Sequence, residues 1–129
     1  MASKAKAPTL AAHLRRLRAA ALAFPEAVEE FPWGDRVFKV RKKIFAFVNL
    51  HGGTLSVTAK LPASGPMALL LPFASPTGYN LGKSGWVTAE FTNPRAVPMD
   101  VMLAWIDESF RAVAPKRLVA GLADATRAR

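Results

Sequence analysis

Residues 24–47 read FPEAVEEFPWGDRVFKVRKKIFAF. The stretch changes character half-way. Phe24 to Asp35 is acidic, carries Pro25, Pro32 and a Trp-Gly pair, and shows no apolar periodicity. Arg36 to Phe47 is basic and rich in Val, Ile and Phe, side chains that suit a pleated, half-buried surface. Two β segments are predicted, at 36–40 and 43–50. Arg41-Lys42 is a plausible tight connection, although neither residue is a preferred former of the primed hairpin turns. The second segment is apolar on both sides, with Ile44, Ala46, Val48 and Leu50 on one and Phe45 and Phe47 on the other. That is the pattern of a central strand covered on both faces.

C-terminal to this stretch, His51-Gly52-Gly53 supplies a turn, since glycine reaches positive φ without strain. Residues 54–61 then alternate cleanly: Leu55, Val57, Ala59 and Leu61 face one way, Thr54, Ser56, Thr58 and Lys60 the other. A strand with one wet face follows. A short helix is expected at 65–71, a loop at 75–78, a short strand at 79–81, a turn at 82–85 and an alternating strand at 86–91. Pro98 suits the first turn of a closing helix to about Ala114, with a stripe of Met99, Met102/Leu103, Ile106, Phe110 and Val113. A short helical turn at 116–122 completes the pattern.

N-terminal to it, Thr9 is placed to cap a helix at about 10–23, whose stripe is Leu10, Leu14, Leu17 and Ala21/Leu22. Pro25 ends that helix, because the residue before proline is pushed out of the helical region. Glu26, Glu29 and Glu30 read better as a solvated acidic turn beside the basic strand than as paired carboxylates for acid–base work. Trp33 is expected to pack the joint between helix and sheet. The order is α-β-β-β-α-β-β-α. Strands joined by tight turns are antiparallel neighbours, so the fold class is α+β: two layers, an antiparallel sheet of about five strands with helices mainly on one face. The other face would show Thr54, Ser56, Thr58, Lys60, Trp86 and one set of Phe side chains.

At 129 residues the chain suits a single domain, 1–129, with flexible tails expected at about 1–8 and 123–129. The first eight residues lack the apolar run of a secretory signal. No segment reaches the ~18 apolar residues of a membrane span. Cysteine is absent, which excludes disulfides and thiolate chemistry and makes a cytoplasmic location the default. The two histidines, His13 and His51, lack metal-ligand spacing, so neither a metal nor another cofactor is expected. Gly82-Lys83-Ser84-Gly85 lacks the spacing of a phosphate-binding loop and reads as a hairpin turn.

The formal net charge is +9, and it is unevenly placed. Residues 36–60 carry Arg36, Lys39, Arg41, Lys42, Lys43 and Lys60 and no acid; the first 25 residues likewise carry only cations. Such a field attracts polyanions. A basic hairpin can act as a wing, setting Lys39, Arg41, Lys42 and Lys43 along phosphates, with Arg15, Arg16, Arg18 and Lys60 as outer contributors. The alternative is a solvated turn whose charges guard a strand edge. Trp86, beside Lys83 on the open sheet face, is a candidate partner surface for a second copy or another protein. A third reading is a small-ligand protein or an enzyme with a pocket between sheet and helices. It would need ionisable groups with perturbed pKa values lining that pocket.

Pro32-Trp33-Gly34, Val37-Phe38-Lys39-Val40, Lys43-Ile44-Phe45-Ala46 and the Gly82-Lys83…Trp86-Val87 pair together resemble the MmcQ/YjbR-like family. The similarity runs from about Leu10 to Leu122. It implies an α+β fold with an antiparallel sheet, grouped with secretion-chaperone-like and double-wing folds, and a DNA-binding role. It supplies no catalytic residues.

Overall fold

A computed structural model describes residues 8–78 and 81–127, without the side chains of residue 33 and residues 123–127. The chain runs α1 (Leu10–Leu22), β1 (Val28–Glu30), β2 (Val37–Val40), β3 (Lys43–His51), β4 (Thr54–Lys60), α2 (Gly65–Ala68), β5 (Ala74–Pro76), β6 (Trp86–Phe91), α3 (Met99–Val113) and α4 (Lys116–Arg127). Single 3-10 turns occupy Pro32–Gly34, Leu81–Ser84 and Pro94–Ala96. The strands form one sheet in the order β1-β2-β3-β4-β6-β5, with every neighbouring pair antiparallel. The fold is thus the expected two-layer α+β arrangement.

Six strands replace the expected five or so. β1 lies inside the acidic turn, where Val28-Glu29-Glu30 offers only one apolar residue, yet it pairs with β2. β5 falls on a stretch read as loop and pairs with β6. Of the strand expected at 79–81, Tyr79 and Asn80 lie outside the described residues, and Leu81 begins a 3-10 turn. The expected packing of Trp33 also lies outside the described side chains. α2 is shorter than expected, and α4 continues past Leu122 to Arg127.

The start of α1 follows its cap: the Ala12 amide donates to Thr9 Oγ1 at 3.0 Å. Leu17 and Ala21 are buried beneath it. α1 and α3 cover β3 and β4. Between the layers lie Phe38, Val40, Phe45, Val48, Leu55, Val57, Val87, Met102, Ile106 and Phe110, all essentially without solvent contact. Burying a side chain of this size stabilises by about 1.5–3 kcal/mol. Phe24 stacks on Phe110 at 4.5 Å between centroids, and Phe45 meets Phe110 edge-on at 5.1 Å.

One irregularity sets the faces of the sheet. Phe38 pairs with Ala46, but Lys39 pairs with Ile44, so Phe45 is the extra residue of a β-bulge. The bulge turns Phe45 into the core beside Ala46, correcting the alternation that placed it with Phe47. Phe47 keeps the opposite side. The open face therefore shows Ile44, Phe47, Asn49, Ser56, Thr58, Lys60, Trp86 and Thr88, as the register aligns them.

Candidate nucleic-acid interface

The acidic turn and the basic segments fold against each other. Glu29 accepts hydrogen bonds from Arg18 Nε at 2.8 Å and Nη2 at 2.9 Å, and from Arg36 Nε at 2.8 Å. Lys39 Nζ lies 2.9 Å from Glu30 Oε1. Arg41 grips Glu26 through both Nε and Nη2, the latter 3.0 Å from Oε2. Paired donors fix geometry as well as charge. Hydrogen bonding from Arg18, opposed by partial burial and aided by Arg36, holds the Glu29 carboxyl below the usual range. The Arg41 hydrogen bond does the same for Glu26, with a smaller contribution from Arg117.

Of the eight cations singled out in the sequence for phosphate contact, Arg18, Lys39 and Arg41 are thus occupied within the fold. Lys42 and Lys43 are exposed at the hairpin tip and join no ion pair among the described residues. Arg15 and Arg16, on α1, are likewise exposed and join no ion pair among the described residues. Lys60 belongs to the same end of the sheet as the tip. It neighbours Trp86 across β6, and β3 runs from Lys43 to Ala46, which faces Ala59. Strand rise and spacing put the Lys43 and Lys60 backbones roughly 10 Å apart. Arg117, at the start of α4, was not singled out in the sequence. Its proximity to Glu26 brings it to this end, a long-range juxtaposition with no local signature.

The hairpin tip is built unusually. Arg41 and Lys42 have φ of 50° and 70°, the left-handed conformations that a two-residue type I′ connection needs. Glu26 also has a positive φ, 62°, in a turn closed by the Ala27 amide on the Phe24 carbonyl at 3.2 Å. Non-glycine residues held this way cost about 1–3 kcal/mol each. The Arg41–Glu26 fork ties the two turns together, and Lys42 is presented outward at the apex.

Several hollows open among the described residues, two of them beside Phe47 and Trp86. One, of about 210 Å³, lies on the open face and is lined in part by Asp35, Phe47, Asn49, His51, Thr58 and Thr77. His51 Nε2 lies 3.5 Å from Asp35 Oδ1, both at the exposed rim. Thr88 Oγ1 sits between Thr58 Oγ1 at 2.9 Å and Thr77 Oγ1 at 3.0 Å. The other, of about 350 Å³, is lined by Trp86 and Lys83, the pair proposed from the sequence as a partner surface, with Leu61, Gly65, Gly82 and Gly85. Trp86 meets Phe47 edge-on at 5.8 Å. Glu26, Glu29 and Glu108, whose carboxyls are displaced from their ordinary pKa, line neither hollow. Among the described residues no cluster of His, Asp and Glu could hold a metal ion, and no helix is long and apolar enough to cross a membrane.

A family model described as YjbR matches residues 22–112. The chain belongs to the YjbR family. The matched span holds the whole sheet, the acidic turn and most of α3, while Arg15, Arg16 and Arg18 on α1 and Arg117 on α4 fall outside it. A comparison with curated proteins found no match. The hairpin tip and both hollows of this YjbR chain lie within the matched residues.

Proposed function

We propose that the chain binds DNA through its phosphates, non-catalytically and with little dependence on base sequence. The observation that carries this reading is the hairpin apex. Lys42 and Lys43 project from a turn held in left-handed backbone geometry, without an internal ion pair among the described residues, and Lys60 lies at the same end of the sheet. Arg15, Arg16 and Arg117 extend the positive field. Arg18, Lys39 and Arg41 serve mainly to bind the acidic turn to the sheet, so the gripping set is smaller than the charge pattern alone implies.

Phosphate contacts release counterions, and each adds about 0.9 to the slope of log affinity against log salt. Fluorescence anisotropy of a labelled duplex, titrated at several salt concentrations, tests the reading. The Lys42→Ala/Lys43→Ala double variant is expected to bind more weakly and to lower the slope by about 2. An unchanged slope and affinity would show that the apex cations are merely solvated.

A further inference from the structure

The end of α2 and the turn after it expose three large apolar side chains. Met67 is 73% exposed, Leu70 78% and Leu69 40%. Beside them lies the hollow of about 350 Å³, with Leu61, Val87 and Trp86 in its lining and Lys83 exposed in its wall. Isolated exposed apolar residues are ordinary, but a contiguous group bordering a hollow marks an interaction site.

The surroundings hold this patch in place. Glu108 of α3 accepts the Ala63 amide at 2.8 Å, the Ser64 amide at 3.0 Å and the Ser64 hydroxyl at 2.5 Å, fastening the start of α2. Burial works against the Glu108 carboxylate, yet these hydrogen bonds hold it below its usual range. The opposite wall is anchored too: the Leu61 amide donates to the Gly85 carbonyl at 2.8 Å. Gly82 lets its turn lie close against β5, because a Cβ there would come within 3.0 Å of Pro76 Cβ. The hollow is therefore preformed, and its apolar neighbours stand in water on a braced support.

Charge selects the occupant. Lys83 joins no ion pair among the described residues, and both oxygens of Glu108 are already engaged by α2. A second copy would bring another +9 chain against this one, whereas an acidic segment complements it. We infer that the α2–Trp86 surface docks a segment of another protein that inserts one apolar or aromatic side chain into the hollow and sets a carboxylate on Lys83. Leu69 and Trp86 supply walls of its seat, and Met67 and Leu70, next to Leu69 in the chain, extend the exposed apolar surface at its edge.

A random peptide library displayed on phage, panned against the immobilised full chain, tests this. The Leu70→Glu and Lys83→Glu variants serve as parallel targets; both positions are exposed, and unchanged thermal melts confirm that the variants fold. Recovered sequences are expected to pair an aromatic or branched aliphatic residue with Asp or Glu within one turn's reach. Their recovery should fall roughly tenfold or more on Leu70→Glu, which sets a carboxylate in the apolar surface at the edge of the hollow, and their acidic preference should vanish on Lys83→Glu. Equal recovery on wild type and Leu70→Glu overturns the site. Enrichment without acids overturns the charge assignment. Sedimentation showing a dimer that Leu70→Glu converts to monomer assigns the surface to a second copy and overturns the acidic partner.

Discussion

Ser109 Oγ donates a 2.5 Å hydrogen bond to the carbonyl of Phe45, the bulged residue of β3. The same oxygen accepts the Lys60 amide at 2.8 Å, at the end of β4. A bulge leaves backbone groups outside the ladder, and a buried group without a partner is costly. One fully buried hydroxyl on α3 satisfies a carbonyl and an amide on two adjacent strands. It thereby couples the helix layer to the point where Phe45 turns inward, and fixes the strand end that carries Lys60.

The Ser109→Ala variant is therefore expected to lose about 1–3 kcal/mol of stability, the cost of stranding buried polar groups. Urea unfolding followed by tryptophan fluorescence measures it. A loss below about 0.5 kcal/mol, within the range of an ordinary surface change, would mean that water replaces the hydroxyl.

The apex of the β2–β3 hairpin sets stability against binding. Lys42 has a φ of 70°, a conformation glycine adopts without a Cβ penalty. Lys42→Gly should raise stability by about 0.5–1 kcal/mol, the relief of strain less the greater entropy of an unfolded glycine. The same change removes a proposed phosphate contact and should lower the salt slope of DNA binding by about 1. Thermal melts and anisotropy titrations on one preparation read both effects. A variant that is more stable and binds equally well would separate the strained turn from any role in binding.

Acid should weaken the fold in a defined window. Glu26, Glu29 and Glu108 all have carboxyls held below the ordinary value of 4.5. A depressed pKa means that the folded state favours the charged form. The associated stability is fully present above pH 4.5 and is lost as pH falls through the lowered folded values. Melting temperature followed from pH 7 to pH 3 should fall steeply only below about 4.5. Glu29→Gln should lower it at pH 7 and flatten the acid limb, since the ion pairs with Arg18 and Arg36 are gone at every pH. An unflattened limb would place the acid sensitivity elsewhere.

How much of this was legible in the chain depends on the range of the interaction. Thr9, Pro25 and the alternation of 54–60 and 86–91 carry their structure locally, so α1, β4 and β6 could be read directly. The helix face of α3 was read from its apolar stripe, which passes over Ser109 because its role depends on a bulge 64 residues away. β1 was hidden because Glu29 and Glu30 have poor strand propensity and are recruited by Arg18, Arg36 and Lys39 after folding. The same long-range pairing engages Arg18, Lys39 and Arg41 within the fold, which a count of charges along the chain does not reveal. Trp86 and Lys83 were readable as neighbours, but the placing of Leu69 beside them depends on how Glu108 seats α2.

The acidic turn should act as an internal competitor for phosphate. Glu30 holds Lys39 at 2.9 Å, and its side chain is about half exposed, so the pair sits where solvent and ions reach it. Exposed pairs of this kind contribute little to stability, about 0–1 kcal/mol. Glu30→Gln should therefore leave the melting temperature nearly unchanged while freeing Lys39. If Lys39 then meets DNA, affinity rises and the salt slope steepens by about 1. Removal of a negative charge alone also raises affinity at low salt through the general field, so the slope is the deciding quantity. The Lys39→Ala/Glu30→Gln double variant is the control: it lacks the cation, returns the net charge to +9, and should show the wild-type slope. Steepening that persists in the double variant would exclude Lys39 as a phosphate contact.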